Sequence, residues 1–149
     1  MAPSTTIGTH SRYRLRPTAF APRIARRFVY ELGDDAGLPD DVVDDAAFVV
    51  GEFVVESIRQ THGELEVTVD VADSHITVRV RDGRTGIHRP GDVVREAPAR
   101  SSATVRRLAT SWGCCRQPSG WEVWAVLHND ASADASVEHA RHLDRTQAG

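Results

Sequence analysis

The chain has only two cysteines, and Cys114 and Cys115 are neighbours. Adjacent residues close no loop, so a disulfide framework is excluded; in a reducing compartment both read as free thiols, one of them buried, with a vicinal redox pair as the alternative. Basic residues are not in excess. A formal net charge of −3 argues against general affinity for nucleic acid, which needs a basic surplus to meet phosphate. No apolar run is long enough to span a bilayer. The opening "MAPSTTIGTHSRYRLRP" lacks the apolar centre of a secretory signal, and the chain reads as cytoplasmic. Internal repeats are absent. What is there is ordinary for a globular protein: 149 residues, 40% hydrophobic and 26% charged, one domain's worth with a sizeable core.

Along the chain, residues 1–11 are small and polar and read as a flexible N-terminus. "RYRLR" suits a short edge strand with Tyr13 and Leu15 on one face. Thr18 is placed to N-cap a helix with Pro22 in its first turn, and Ala21, Ala25, Phe28 and Leu32 recur at helical spacing. "GDDAGLPD" breaks that pattern, after which Asp40 is placed to cap a second helix running through Gln60. Beyond Gly63 the period changes to two: Leu65, Val67, Val69 and Val71, then a turn at 72–74, then Ile76, Val78 and Val80. This is a hairpin with one buried face. Residues 83–98 form a Gly/Pro-punctuated loop of a length often tied to function. Val105, Leu108, Ala109 and Trp112 predict a third helix stopped by Gly113. "GWEVWAVL" at 120–127 predicts a central strand, apolar on both faces. The tail 129–149 is polar, a frayed helix or disordered.

The second helix raises the chemical question. On a helical wheel at about 100° per residue, Asp41, Asp45, Glu52, Glu56 and Arg59 share a narrow arc. Val43, Ala47, Val50, Val54 and Ile58 lie roughly opposite, with Val42, Ala46, Val49 and Phe53 widening the apolar side. Spacing alone makes the charged arc a solvated stripe, with Glu56 and Arg59 as an i, i+3 pair.

Context adds a second reading. A helix holding "GEFVVESIRQ" is followed by a hairpin ending in "VRVRDGRTG", a long loop, "RRLATSWG" and "SGWEVWAVL". This succession resembles the actinobacterial anti-sigma-factor serine kinases, which have the histidine-kinase-like ATPase (GHKL, Bergerat) fold. The resemblance covers about residues 12–127, and its most specific parts are Leu108-Ala109, Trp112-Gly113, Gly120 and Val123-Trp124. It implies an α/β two-layer sandwich, helices on one face of a mostly antiparallel mixed sheet, over a domain 12–128. It also implies ATP and Mg²⁺ as cofactors. The partners it implies are a sigma factor, a STAS-type antagonist or a second copy of the chain.

The resemblance assigns residues as well. Glu52 matches the family's general base or water-orienting group. The position four residues later, an Asn that helps hold Mg²⁺, is Glu56; a carboxylate ligates magnesium but also brings negative charge toward phosphate. At about 5 Å and an effective dielectric near 20, such a pair costs roughly 3 kcal/mol. The adenine-contacting D-x-G-x-G loop is "DGRTG", with Asp82 and Gly86 in place and Arg84 where a glycine belongs. The lid's Gly-x-Gly-Leu falls on Ala99, Arg100, Ser101 and Ser102, with both glycines gone where bare backbone meets phosphate. Ser101 and Ser102 still offer hydroxyls, and Arg84 or Arg100 a phosphate clamp. The expectation is a regulator that binds protein partners with weakened or lost ATP turnover; the alternative is an active serine kinase with a remodelled site. His139 and His142, at i, i+3 in the tail, lack the partners of a metal site.

Overall fold

The computed structural model describes residues 8–83, 102–118 and 120–128. The elements in chain order are β1 (Thr9–Leu15), α1 (Ala21–Asp35), α2 (Asp40–Gln60), β2 (Leu65–Val71), β3 (His75–Asp82), α3 (Ser102–Leu108), β4 (Ser111–Gln117) and β5 (Gly120–His128). The five strands form one sheet in the order β1-β2-β3-β5-β4, and every ladder is antiparallel. α1 and α2 form an antiparallel hairpin that returns the chain to the end it left, so β2 comes back along β1 in the opposite sense. The result is the expected two-layer α/β sandwich.

Period-two patterning sets the register. Val67, Val69, Val78 and Val80 are fully buried or nearly so and face the helices together with Val123 and Ala125 of β5. Val43, Val50, Phe53 and Val54 of α2 close that core from above. Burying each such side chain is worth about 1.5–3 kcal/mol. The other face of the sheet is polar. Glu66 pairs with Arg12 at 3.6 Å, Arg14 at 3.9 Å and Arg81, while Asp70 pairs with His10 and Arg79. Among the described residues no helix is long and apolar enough to cross a membrane.

Four local expectations are corrected. β1 begins at Thr9, inside the stretch 1–11 that composition assigned to a flexible terminus; Thr9 to Ser11 pair with Val71 to Val69. Thr18 does not cap α1: the N-cap is Phe20 without a side-chain hydrogen bond, and Thr18 contributes only its carbonyl, which accepts from the Ala21 N–H at 3.0 Å. Asp40 is likewise inside α2, behind an N-cap at Pro39. Asp40 and Asp41 favour the helix start through its dipole, and Asp41 Oδ1 also accepts from the first-turn Val42 N–H at 3.0 Å. The end of α1 is well defined. Gly37, at φ +67°, lets its own N–H reach the Asp34 carbonyl and that of Leu38 reach Gly33, each at 3.0 Å, the Schellman arrangement.

The largest correction concerns the third helix. It ends at Leu108, and Trp112 and Gly113 belong to β4. The Thr110 N–H already donates to the Val126 carbonyl at 2.8 Å, so pairing with β5 captures the chain before another helical turn forms. Trp112 is apolar because it faces the same core from a strand. Gly113 stops nothing; it admits the Trp124 ring, whose Cζ2 lies 2.8 Å from where a Cβ would stand.

Candidate functional site

Glu52 and Glu56 lie in the second half of α2, both half-buried. α2 ends at Gln60, and Leu65, which opens β2 just beyond, pairs with Asp82 at the end of β3. The fold therefore brings the three acidic residues to the same end of the helix-covered face.

The two glutamates differ in their neighbours. Gln60 Nε2 donates to Glu56 Oε1 at 3.1 Å, and Arg59 Nη1 stands 3.8 Å from Oε2. Both oxygens are thus occupied by the next turn of the same helix, and the side chain is only 17% exposed. Glu52, also half-buried, makes no hydrogen bond or ion pair with any described residue. Among the described residues no three His, Cys, Asp or Glu side chains gather as a metal would require.

Asp82 is 2% exposed. It faces the core from the last row of β3, between Leu65 and Trp121. The backbone above it is tight: Gly120 has φ +141°, and a Cβ there would fall 1.7 Å from the Asp82 carbonyl oxygen. Glycine meets both demands, the left-handed φ and the contact. Asp82 is thus a buried carboxylate with Trp121 on the neighbouring strand. Arg84, Gly86, Arg100 and Ser101 lie outside the described residues, as does the side chain of Ser102, whose backbone opens α3; His139 and His142 lie outside them too.

The residues present fit ATP·Mg²⁺ poorly at the three described positions. Glu56 is anionic and tied to its own helix, Asp82 is buried, and Glu52 is half-buried.

A separate cleft of about 310 Å³ opens at the opposite end of α2, lined by Asp41, Asp45, Arg107, Thr110 and His128 among others. His128 Nδ1 lies 2.9 Å from Thr110 Oγ1. Burial raises the Asp45 carboxyl above the usual range, helped by the charges of Asp41 and Asp44. Asp41 and Asp45 fall on the same charged arc as the glutamates; Arg107, Thr110 and His128 come from segments whose register the sequence did not reveal. On the α1–α2 surface, the Tyr30 hydroxyl donates to Asp44 Oδ1 at 2.8 Å, and that bond is the main reason its pKa is raised. Neither Cys114 nor Cys115 forms a disulfide. They point to opposite faces of β4, the first buried, the second accepting from Gln117 Nε2 at 3.3 Å.

Comparison with solved structures places this arrangement. The chain is similar to a crystal structure of the RsbU and RsbW domains of Rv1364c from Mycobacterium tuberculosis, with a TM-score of 0.60 and 19% identity. The likeness covers 81% of this chain and 32% of that one, so this chain spans about a third of its length. At that identity the likeness shows the fold alone, a two-layer α/β sandwich. No family model matches the chain, and no curated protein matches it.

Proposed function

We propose that the chain is a regulatory protein of the RsbW kind, acting on transcription by binding a sigma factor or a STAS-type antagonist, with ATP binding weakened or lost. The fold supports the first half of this reading. The observation that carries the second is the state of the acidic residues: Glu56 is held by Arg59 and Gln60 where the family has a metal-holding amide, and Asp82 is buried with Trp121 on the neighbouring strand. A nucleotide bound in the family manner has to displace one arrangement and open the other. Isothermal titration with ATP·Mg²⁺ tests the reading. Binding weaker than millimolar, with a sigma factor or antagonist still retained on the protein, is expected; sub-millimolar binding together with serine phosphorylation of an antagonist overturns it.

One observation favours a second reading, an active serine kinase. Glu52 is half-buried and without a hydrogen-bond or ion-pair partner among the described residues, as a proton acceptor for a serine hydroxyl has to be. In that case Glu52→Gln abolishes phosphotransfer while circular dichroism stays unchanged. No activity in either form removes the kinase reading. A second copy of the chain is a further candidate partner, which light scattering at several concentrations decides.

A further inference from the structure

The last row of the helix-covered face runs Leu15, Leu65, Asp82, Trp121 and Arg116 across the five strands. Arg116 stands on the edge strand β4, two residues past the buried Cys114 and on the same face. A guanidinium keeps its charge at any pH the protein meets, so it cannot relieve burial by losing a proton. Yet Nε and Nη1 of Arg116 are both shut away from solvent, and neither has a hydrogen-bond acceptor.

Buried donors are almost always bonded, and an unpaired buried charge costs far more than an unpaired neutral group. Among the described residues the other partly buried arginines follow that rule: Arg81 has Glu66 and Arg79 has Asp70. Among the described residues no other buried side-chain nitrogen or oxygen lacks a partner.

We propose that Arg116 receives an oxyanion, the phosphate or carboxylate group of a small ligand entering at the β4 edge of the sheet beside Trp121. The planar fork of N–H groups matches the oxygens of either group. The residue as a whole is only half-buried and Nη2 is not among its sealed, unpartnered atoms, so an anion approaches from that side of the fork. Trp121 separates this position from Asp82, so the site requires neither a purine nor nucleotide turnover.

Thermal melting and isothermal titration of the full chain test the proposal, using tripolyphosphate, inorganic phosphate, citrate and ATP, each against sodium chloride at matched ionic strength. At least one oxyanion raises the melting temperature saturably, by roughly 5 °C or more at a hundredfold excess over Kd. Arg116→Met lowers that affinity at least tenfold, and without ligand it melts at or above the wild type, because the unpaired charge is gone. Tripolyphosphate and ATP acting alike identify phosphate as the group held; a response to citrate alone identifies carboxylate. No effect beyond that of chloride overturns the proposal, as does unchanged affinity in Arg116→Met. Should the Met variant fail to fold, Arg116→Lys decides, since it keeps the charge and loses the fork: a several-fold loss of affinity supports the site, and none refutes it.

Discussion

Glu52 and Glu56 are the same side chain one helical turn apart, and their surroundings give them different chemistry. Glu56 has two partners within its own helix, and Glu52 has none among the described residues. The wheel placed both on the charged arc and paired Glu56 with Arg59; it had no means of showing that Gln60 takes the other oxygen. If the anion at position 56 is what repels phosphate, Glu56→Asn raises ATP affinity at least tenfold in isothermal titration, since one charge pair is worth roughly 3 kcal/mol at such range. Its cost in stability stays within about 0.5 kcal/mol, the usual worth of a same-helix pair. Gly120 marks the other extreme. An alanine there adopts a disfavoured φ and meets backbone rather than a movable side chain, so Gly120→Ala costs at least about 3 kcal/mol in urea denaturation.

At the scale of elements, legibility followed the strength of the local pattern. The hairpin of β2 and β3 and the inner position of β5 were readable because alternation and two-sided apolarity each have a single structural solution. The third helix was overextended because Trp112 satisfies a helical spacing and a strand face equally well, and only the pairing partner, β5, separates the two. The helix starts were misplaced because Thr18 and Asp40 look like caps wherever they stand. The acidic N-terminal half of α2 carries a pH signature. Burial and the charges of Asp41 and Asp44 raise the Asp45 pKa in the folded protein, so the folded state binds that proton more tightly than the unfolded chain. Its charged form therefore weakens the fold at neutral pH, and the penalty is relieved as pH falls through the raised value toward the ordinary aspartate range. Asp45→Asn accordingly stabilises the protein at pH 7, and its advantage shrinks in chemical denaturation repeated near pH 4. An advantage that grows on acidification contradicts the assignment.

The whole molecule is closed by its last strand. β5 enters between β3 and β4, pairing with all eight residues of β3 from His75 to Asp82, and it buries Val123, Ala125 and Leu127 against the core. Until it arrives, β3 is an edge with Ile76, Val78 and Val80 covered on one side only. The sheet therefore depends on contacts distant in sequence, an arrangement that folds slowly and exposes apolar strand edges meanwhile. A chain ending at residue 110 is expected to lose the cooperative urea transition altogether rather than to keep a smaller one, because α2 packs on β3 and β5 and this truncation removes β5 and leaves β3 with an open edge. Leu127→Ala, which thins the same closure without removing it, keeps a single transition at a cost of about 2–5 kcal/mol. A cooperative transition surviving in the truncated chain would mean that the helical hairpin and β1 to β3 form a unit of their own. The β4–β5 pair that carries Arg116 and Trp121 would then be an attached element rather than the keystone of the sheet.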